Sequence, residues 1–287
     1  MGLAGRDAVG EVLRITRRNA RFQQWQALLF SRAGRNRAGE FLVQGVRPIT
    51  LAVEHAWPIH TLIYAQGRPL SAWAAGILER AGGDRVAMAP ALLAELGGKD
   101  QDVPELLAVA GLPGDELSRI PAAPSFLGLA LDRPARPGNI GTMIRSADAF
   151  GAAGVIITGH AADPYDPKSV RASTGSLFTM PVVRTGSHRG VLDWAAALRA
   201  GGLPLTLIGT DENGPADVTD IDLTGPVLVV IGTEATGLSA GWRDGCDAMA
   251  RIPITGAASS LNAASAATVL LYEAARQRRT APGASQP

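Results

Sequence analysis

The stretch DRPARPGNIGTMIRSADAFGA, residues 132–152, decides how the second half of this chain is read. It follows the apolar run FLGLAL (126–131) and leads into an amphipathic pattern, so strand, glycine turn and helix succeed one another. Such a turn commonly holds a nucleotide phosphate at the helix N-terminus. A dinucleotide loop, however, needs G-x-G-x-x-G and an acid about 20 residues further on to hold a ribose. Here the turn is Gly138-Asn139-Ile140-Gly141, and the next strand, GVIITGH, runs into His160 and Ala161. No Gly-Lys-Ser/Thr follows, so a triphosphate loop is disfavoured too. The helix carries one arginine, Arg145, with Asp148 three residues on. That arginine is either a surface partner of Asp148 or a ligand for something outside the chain.

Two further glycine turns lie downstream. VLVVIGTEATGLS (227–239) follows the most apolar strand pattern of the chain, and its Glu234 falls at the strand's end. A carboxylate there is costly unless donors or a function compensate it. IPITGAASSLNAASAATVLLYEAARQR (252–278) places Ser259, Ser260 and Asn262 at the start of a long helix, where helix capping alone explains them. Three such turns in one domain predict a shared crevice beyond the strand ends.

With 287 residues the chain exceeds a usual single domain, and Pro and Gly residues around 112–124 suggest a linker. The expected division is 1–115 and 116–287. Before the linker, residues 9–32 read as one or two helices and precede an Arg-rich turn and the apolar run Phe41–Val43. Helix and strand then alternate: helix 48–56, strand IHTLIYA, helix 71–82, strand RVAMA, helix 90–97 and a last strand. After the linker, strands are expected at 126–131, 154–158, 180–184, 204–209 and 226–231. Helices are expected at 140–150, 168–175, 188–200, 239–245 and 260–279, with a frayed tail. The class is α/β.

Arginine outnumbers lysine 25 to two (Lys99 and Lys168), a mark of composition rather than of function. Nine arginines and three acids fall within residues 1–47, net +6, while the remainder carries −5. That asymmetry suits a nucleic-acid contact near the N-terminus, although a solvated basic helix explains it equally. Phe22 and Trp25 sit at core spacing within it and are expected to be buried rather than stacked on a base. Cys246 is the single cysteine, which excludes an intramolecular disulfide and a cysteine metal cluster. His55, His60, His160 and His188 have no metal-ligand spacing, so no metal is expected. No apolar run of about 18 residues or signal peptide is legible, so a soluble, cytoplasmic protein without membrane attachment is expected.

The three turns resemble the three motifs of the SpoU (TrmH-like) RNA ribose 2′-O-methyltransferases, within the SPOUT class. Asn139, Gly141, Arg145 and Phe150-Gly151 match the first motif. Gly232, Glu234, Gly237 and Leu238 match the second, and Ile252-Pro253, Gly256, Ser260-Leu261-Asn262 and Tyr272-Glu273 the third. RASTGSLFTMPV (171–182) is similar to the segment between the first two. Ala235, Ile254 and the AAS after Asn262 depart from the usual residues by small apolar exchanges. Less strongly, SRAGRNRAGEFLVQGVRPI (31–49) resembles the start of the substrate-binding domain fused in front of such enzymes, a small α/β domain like RNA-binding ribosomal proteins.

The resemblance implies a C-terminal parallel-sheet domain tied into a trefoil knot, although threaded chains are otherwise nearly absent from proteins. It also implies a homodimer, S-adenosylmethionine as methyl donor, and RNA as substrate. Within the family the antibiotic-resistance group acting on 23S rRNA is the nearest match; a tRNA enzyme and a non-catalytic RNA-binding relative are the alternatives. Thr210, Gly232, Ile252 and Leu261 would hold the cofactor, Gly232 because ligand pressed on backbone tolerates no Cβ. Arg145, Asn139, Glu234, Ser260 and Asn262 would form the catalytic group. Arg145 would act as base for the 2′-hydroxyl or as a charge clamp; a guanidinium's persistent charge speaks for the clamp. Arg17, Arg18, Arg35, Arg37 and Arg171 would touch RNA.

Overall fold

A computed structural model describes residues 12–98 and 103–281. The start of the expected N-terminal helix (9–11), Lys99 and the tail beyond 281 lie outside the described residues. The chain divides into two compact units, Met1–Pro113 with Tyr165–Pro167, and Gly114–Pro164 with Lys168–Pro287.

The first unit contains β1 (Leu13–Ile15), α1 (Ala20–Phe30), α2 (Arg32–Ala38), β2 (Glu40–Gln44) and α3 (Val46–Glu54). It continues with β3 (Ile59–Ala65), α4 (Ala72–Arg80), β4 (Asp84–Met88), α5 (Pro90–Gly97) and β5 (Leu106–Gly111). Its sheet order is β1-β4-β3-β5-β2, parallel from β1 to β3 and antiparallel across β5. Phe22, Trp25 and Leu28 of α1 pack with Ile63, Val86 and Val109 of the sheet, so the core reading of Phe22 and Trp25 holds.

Two expectations fail here. Residues 13–15 are an edge strand beside β4, with Leu13 opposite Val86 and Ile15 opposite Met88, because a free sheet edge outweighs weak helical periodicity. The Arg-rich turn is helix α2. Ser31 ends α1 and caps α2 by accepting from the Gly34 N–H at 2.9 Å, and Gly39 closes α2 at φ +66°.

The second unit contains β6 (Leu127–Asp132), α6 (Pro137–Ala149), β7 (Gly154–Thr158), α7 (Pro167–Ala172), β8 (Val182–Thr185) and α8 (His188–Ala200). Then come β9 (Thr206–Thr210), β10 (Ala216–Asp217), β11 (Val227–Ile231), α9 (Ala240–Gly245), β12 (Ala248–Arg251) and α10 (Ala263–Thr280). Seven parallel strands lie in the order β10-β12-β9-β11-β6-β7-β8. Every residue of β6, β7 and β11 is buried, as expected for a parallel sheet covered on both faces. Val191 and Ala195 of α8 and Trp242 of α9 pack with Ala130, Ile156 and Val230. α6 and α10 pack on each other, joined by a 2.7 Å hydrogen bond between the Ser146 and Thr268 hydroxyls. The late strand β11 inserts between β6 and β9, so the first two glycine turns leave adjacent strands, and the third leaves β12, one strand away across β9.

Candidate active site

The carboxyl ends of β9, β11 and β12 and the start of α10 enclose a cleft of about 550 Å³. Thr210, Gly232, Ile252 and Leu261 all line it, together with Glu234 and Ser260. Ile231, Ala250, Ile252 and Leu261 supply apolar wall, while Asp211, Glu212, Glu234 and Arg243 supply charge. The Thr210 hydroxyl donates to the Val230 carbonyl at 3.1 Å, holding β9 against β11 at the cleft's base.

The loop after β11 folds on itself: Thr233 and Gly237 exchange backbone hydrogen bonds of 3.1 and 2.9 Å, with Gly237 at φ +63°. A Cβ on Gly232 would lie 2.3 Å from the Gly237 carbonyl carbon and 2.4 Å from the Leu238 nitrogen. The loop's own closure therefore requires glycine here, independently of the ligand approach expected from the sequence.

Glu234 gathers the three turns. Its Oε1 accepts from Asn139 Nδ2 and from Asn262 Nδ2, each at 2.5 Å. Arg136 Nε approaches its Oε2 at 3.5 Å. Asn262 also caps α10, its Oδ1 accepting from the Ala264 N–H at 2.9 Å. Glu234 lies three residues beyond β11 and is exposed, so the burial cost expected from the sequence does not arise; the donors from turns far apart in sequence position this carboxylate.

A second clamp, which no sequence motif signals, lies beside it. The buried Asp132 accepts from the Ser239 N–H at 2.7 Å and from Arg133 Nη2 at 3.1 Å. Arg133, in the left-handed region at φ +51°, reaches the Gly237 carbonyl at 3.3 Å. Trp242 Nε1 donates to the Thr158 hydroxyl at 3.2 Å beneath it. β6 and β7 thereby fix the loop that carries Glu234.

Arg145 is exposed on α6 and does not line the cleft. Asp148, its alternative partner, instead accepts from the Ser176 and Thr179 hydroxyls at 2.7 and 2.8 Å. Among the described residues Arg145 has no ion pair, so its fork is available. Arg17, Arg37 and Arg171 are exposed, and Arg18 is exposed beside Glu95 at 2.9 Å. Arg35 overturns its expectation: it is 2% exposed, its Nη1 donating to the Leu28 carbonyl at 2.6 Å, so it stabilises the α1–α2 corner and is not presented to RNA. Phe30, at 82% exposure, is the aromatic that α1 leaves in solvent. Cys246 is half-buried, and burial, then the neighbouring Asp247 charge, pushes its thiol up to about 12, which removes it as a nucleophile.

Residues 127–272 match the SpoU rRNA Methylase family, and residues 19–108 the SpoU L30e-like domain. The chain belongs to the SpoU rRNA methylase family. It is 59% identical, over 96% of each chain, to a 23S rRNA (uridine(2479)-2′-O)-methyltransferase of Streptomyces viridochromogenes. The crystal structure of the SpoU methyltransferase AviRb from that organism, in complex with AdoMet, superposes with a TM-score of 0.89 at 59% identity. That comparison covers 92% of this chain and 99% of AviRb. An AdoMet-bound rRNA methyltransferase from Sinorhizobium meliloti superposes at 0.81 with 29% identity, over 93% and 98%. The α/β fold with its parallel sheet, expected from the sequence, is the fold of these SpoU enzymes.

Proposed function

We propose that this SpoU protein transfers a methyl group from S-adenosylmethionine to a ribose 2′-hydroxyl of 23S rRNA. The observation that carries the reading is the meeting of Asn139 and Asn262 on one oxygen of Glu234, at the edge of a cleft with apolar walls. The cleft's volume suits a nucleoside-sized ligand, and its three carboxylates suit a cationic one. The names of the relatives point the same way.

S-adenosylmethionine supplies an electrophilic methyl on a sulfonium and needs no metal. The protein's part is positioning, which can lower a barrier by about 7–11 kcal/mol. Ile252 and Leu261 offer apolar contact to an adenine, and the backbone at Gly232 offers polar groups to the same ligand. Glu234 locks the Asn139 and Asn262 amides. Arg145, a permanent cation with free donors, binds the RNA phosphate beside the target ribose and stabilises charge developing on its oxygen.

Arg145 does not line the cleft, and in this reading the complete site is formed by two copies. The apolar surface of α10 supports this homodimer: Tyr272 and Val269 are 49% and 36% exposed, and Phe150 packs on the Tyr272 ring at 5.9 Å. The insertion of β11 between β6 and β9 agrees with a trefoil-knotted C-terminal domain. Residues 1–115 serve as the RNA-binding domain, with Arg17, Arg18 and Arg37 attracting backbone phosphate and Phe30 offering a stacking face to an unpaired base. Methylation of the ribosome in the cytoplasm would confer resistance to an antibiotic bound at that nucleotide.

The test is transfer of radiolabelled methyl to rRNA from cells lacking the protein, with the product mapped by 2′-O-methyl-dependent primer stops. Arg145→Ala is expected to slow transfer about 100-fold or more while cofactor affinity stays within about twofold. Transfer at the normal rate would remove Arg145 from the reaction.

A further inference from the structure

Among the described residues lining the cleft, Arg243 is the one cation. It is held at two points: its Nε donates to the Leu238 carbonyl at 3.2 Å, and its Nη2 lies 3.1 Å from Asp211 Oδ2. Among the described residues its Nη1 has no partner. Asp211 is equally anchored, since its Oδ1 accepts from the Asn213 N–H at 2.9 Å and its own N–H donates to the Ala250 carbonyl at 3.0 Å. The cleft therefore presents one fixed positive and one fixed negative group side by side, on the β9 and α9 side. Ile252 and Leu261 form apolar wall elsewhere in the same cleft.

The chemistry of a methionine-derived donor has the same division. One end is a nucleoside with a flat apolar base, and the other is a zwitterion carrying an ammonium and a carboxylate. An arginine fork matches a carboxylate in two parallel hydrogen bonds, and a neighbouring carboxylate matches an ammonium. We propose that the Arg243–Asp211 pair binds the amino-acid end of the methyl donor, Arg243 taking its carboxylate and Asp211 its ammonium. This rests on the reading of the cleft as the donor site and adds which residues discriminate an intact donor from a bare nucleoside. Neither residue falls in the three motifs.

The test uses two ligands that differ in this end. S-adenosylmethionine carries the amino-acid tail, whereas 5′-methylthioadenosine keeps the nucleoside and sulfur and lacks it. Both are titrated calorimetrically into the full chain. Arg243→Ala is expected to raise the Kd of S-adenosylmethionine about 10- to 100-fold, the worth of a charge-assisted hydrogen bond, and to leave 5′-methylthioadenosine within about twofold. Arg243→Lys keeps the charge without the fork and recovers part of the loss. Asp211→Asn, which preserves the acceptor for Asn213, weakens S-adenosylmethionine alone. Equal weakening of both ligands would show that the pair only staples the loop. No weakening of either, or weakening of RNA binding alone, would place the arginine's ligand elsewhere. Each of these three results overturns the assignment while leaving the methyltransferase reading standing. A wild-type chain that binds neither ligand would overturn both.

Discussion

Glu234 is worth more to this protein as an acceptor than as a charge. One oxygen receives both amides, and the other faces Arg136 at a looser 3.5 Å. Glutamine at this position keeps an oxygen for Asn139 and Asn262; it loses the attraction to an exposed arginine, which is worth little, and one of the cleft's three carboxylate charges. Alanine leaves both amides without their common acceptor and the first and third turns uncoupled. Glu234→Gln is therefore expected to retain methyl transfer within about tenfold, and Glu234→Ala to lose about 100-fold or more. Because the three residues act as one network, the loss in Glu234→Ala combined with Asn139→Ala should be far below the product of the single losses. Multiplicative losses in steady-state kcat/KM would show that the two side chains act separately.

The first turn shows how the same residue type at two places in one element does different work. A Cβ on Gly141 would fall 2.2 Å from the Ser169 carbonyl oxygen and 2.7 Å from the Ala172 Cβ, because α6 packs directly on α7. A Cβ on Gly138 meets nothing within 4 Å. Gly141→Ala is thus expected to cost about 1–3 kcal/mol by overpacking. Gly138→Ala should be neutral or slightly stabilising, since alanine favours a helix. Urea unfolding of the two variants decides it, and a Gly141→Ala midpoint equal to wild type would contradict the α6–α7 contact. The parallel sheet was legible in the sequence because burial on both faces writes short unbroken apolar runs such as Val227–Ile231. β1 was not, since a three-residue strand exists only by virtue of the β4 edge. The Asn139–Glu234–Asn262 group was found through its motifs. Arg133, Arg136 and Arg243 were missed, since their roles depend on a partner loop that sequence does not place beside them. Arg35 was misread because a charge count does not tell which face of a short helix turns inward.

The last helix has to be held at both ends for the third turn to meet the other two. At its start Asn262 caps it and bonds Glu234; at its far end one side chain does most of the tying. Arg278 donates to the carbonyls of Leu223 at 3.0 Å, Ser125 at 2.8 Å, Phe126 at 2.9 Å and Gly225 at 2.6 Å. These carbonyls flank β6 and β11, so the end of the fold is fastened to the entries of its two central strands. Burial lowers the affinity of this guanidinium for its proton, and the carbonyls compensate the buried charge. One turn earlier, Gln277 donates to the Ile221 carbonyl at 3.0 Å and accepts from the Leu223 N–H at 2.9 Å. Glu273 is held below the usual carboxylate range by its hydrogen bonds to Arg276 and then Gln277, against its own desolvation. A depressed carboxylate stabilises the fold above its ordinary titration range, and this contribution disappears as the pH falls through the lowered value. Thermal unfolding should therefore show a loss in strongly acidic buffer that is smaller in Glu273→Gln. Arg278→Ala leaves four carbonyls without their donor, and about 2–3 kcal/mol of stability should go with it at neutral pH. Arg278→Lys, a single ammonium in place of a planar fork, recovers only part. A chain whose melting temperature ignored Arg278→Ala would mean that α10 is seated by its apolar face alone, through Leu270, Leu271 and Ala274.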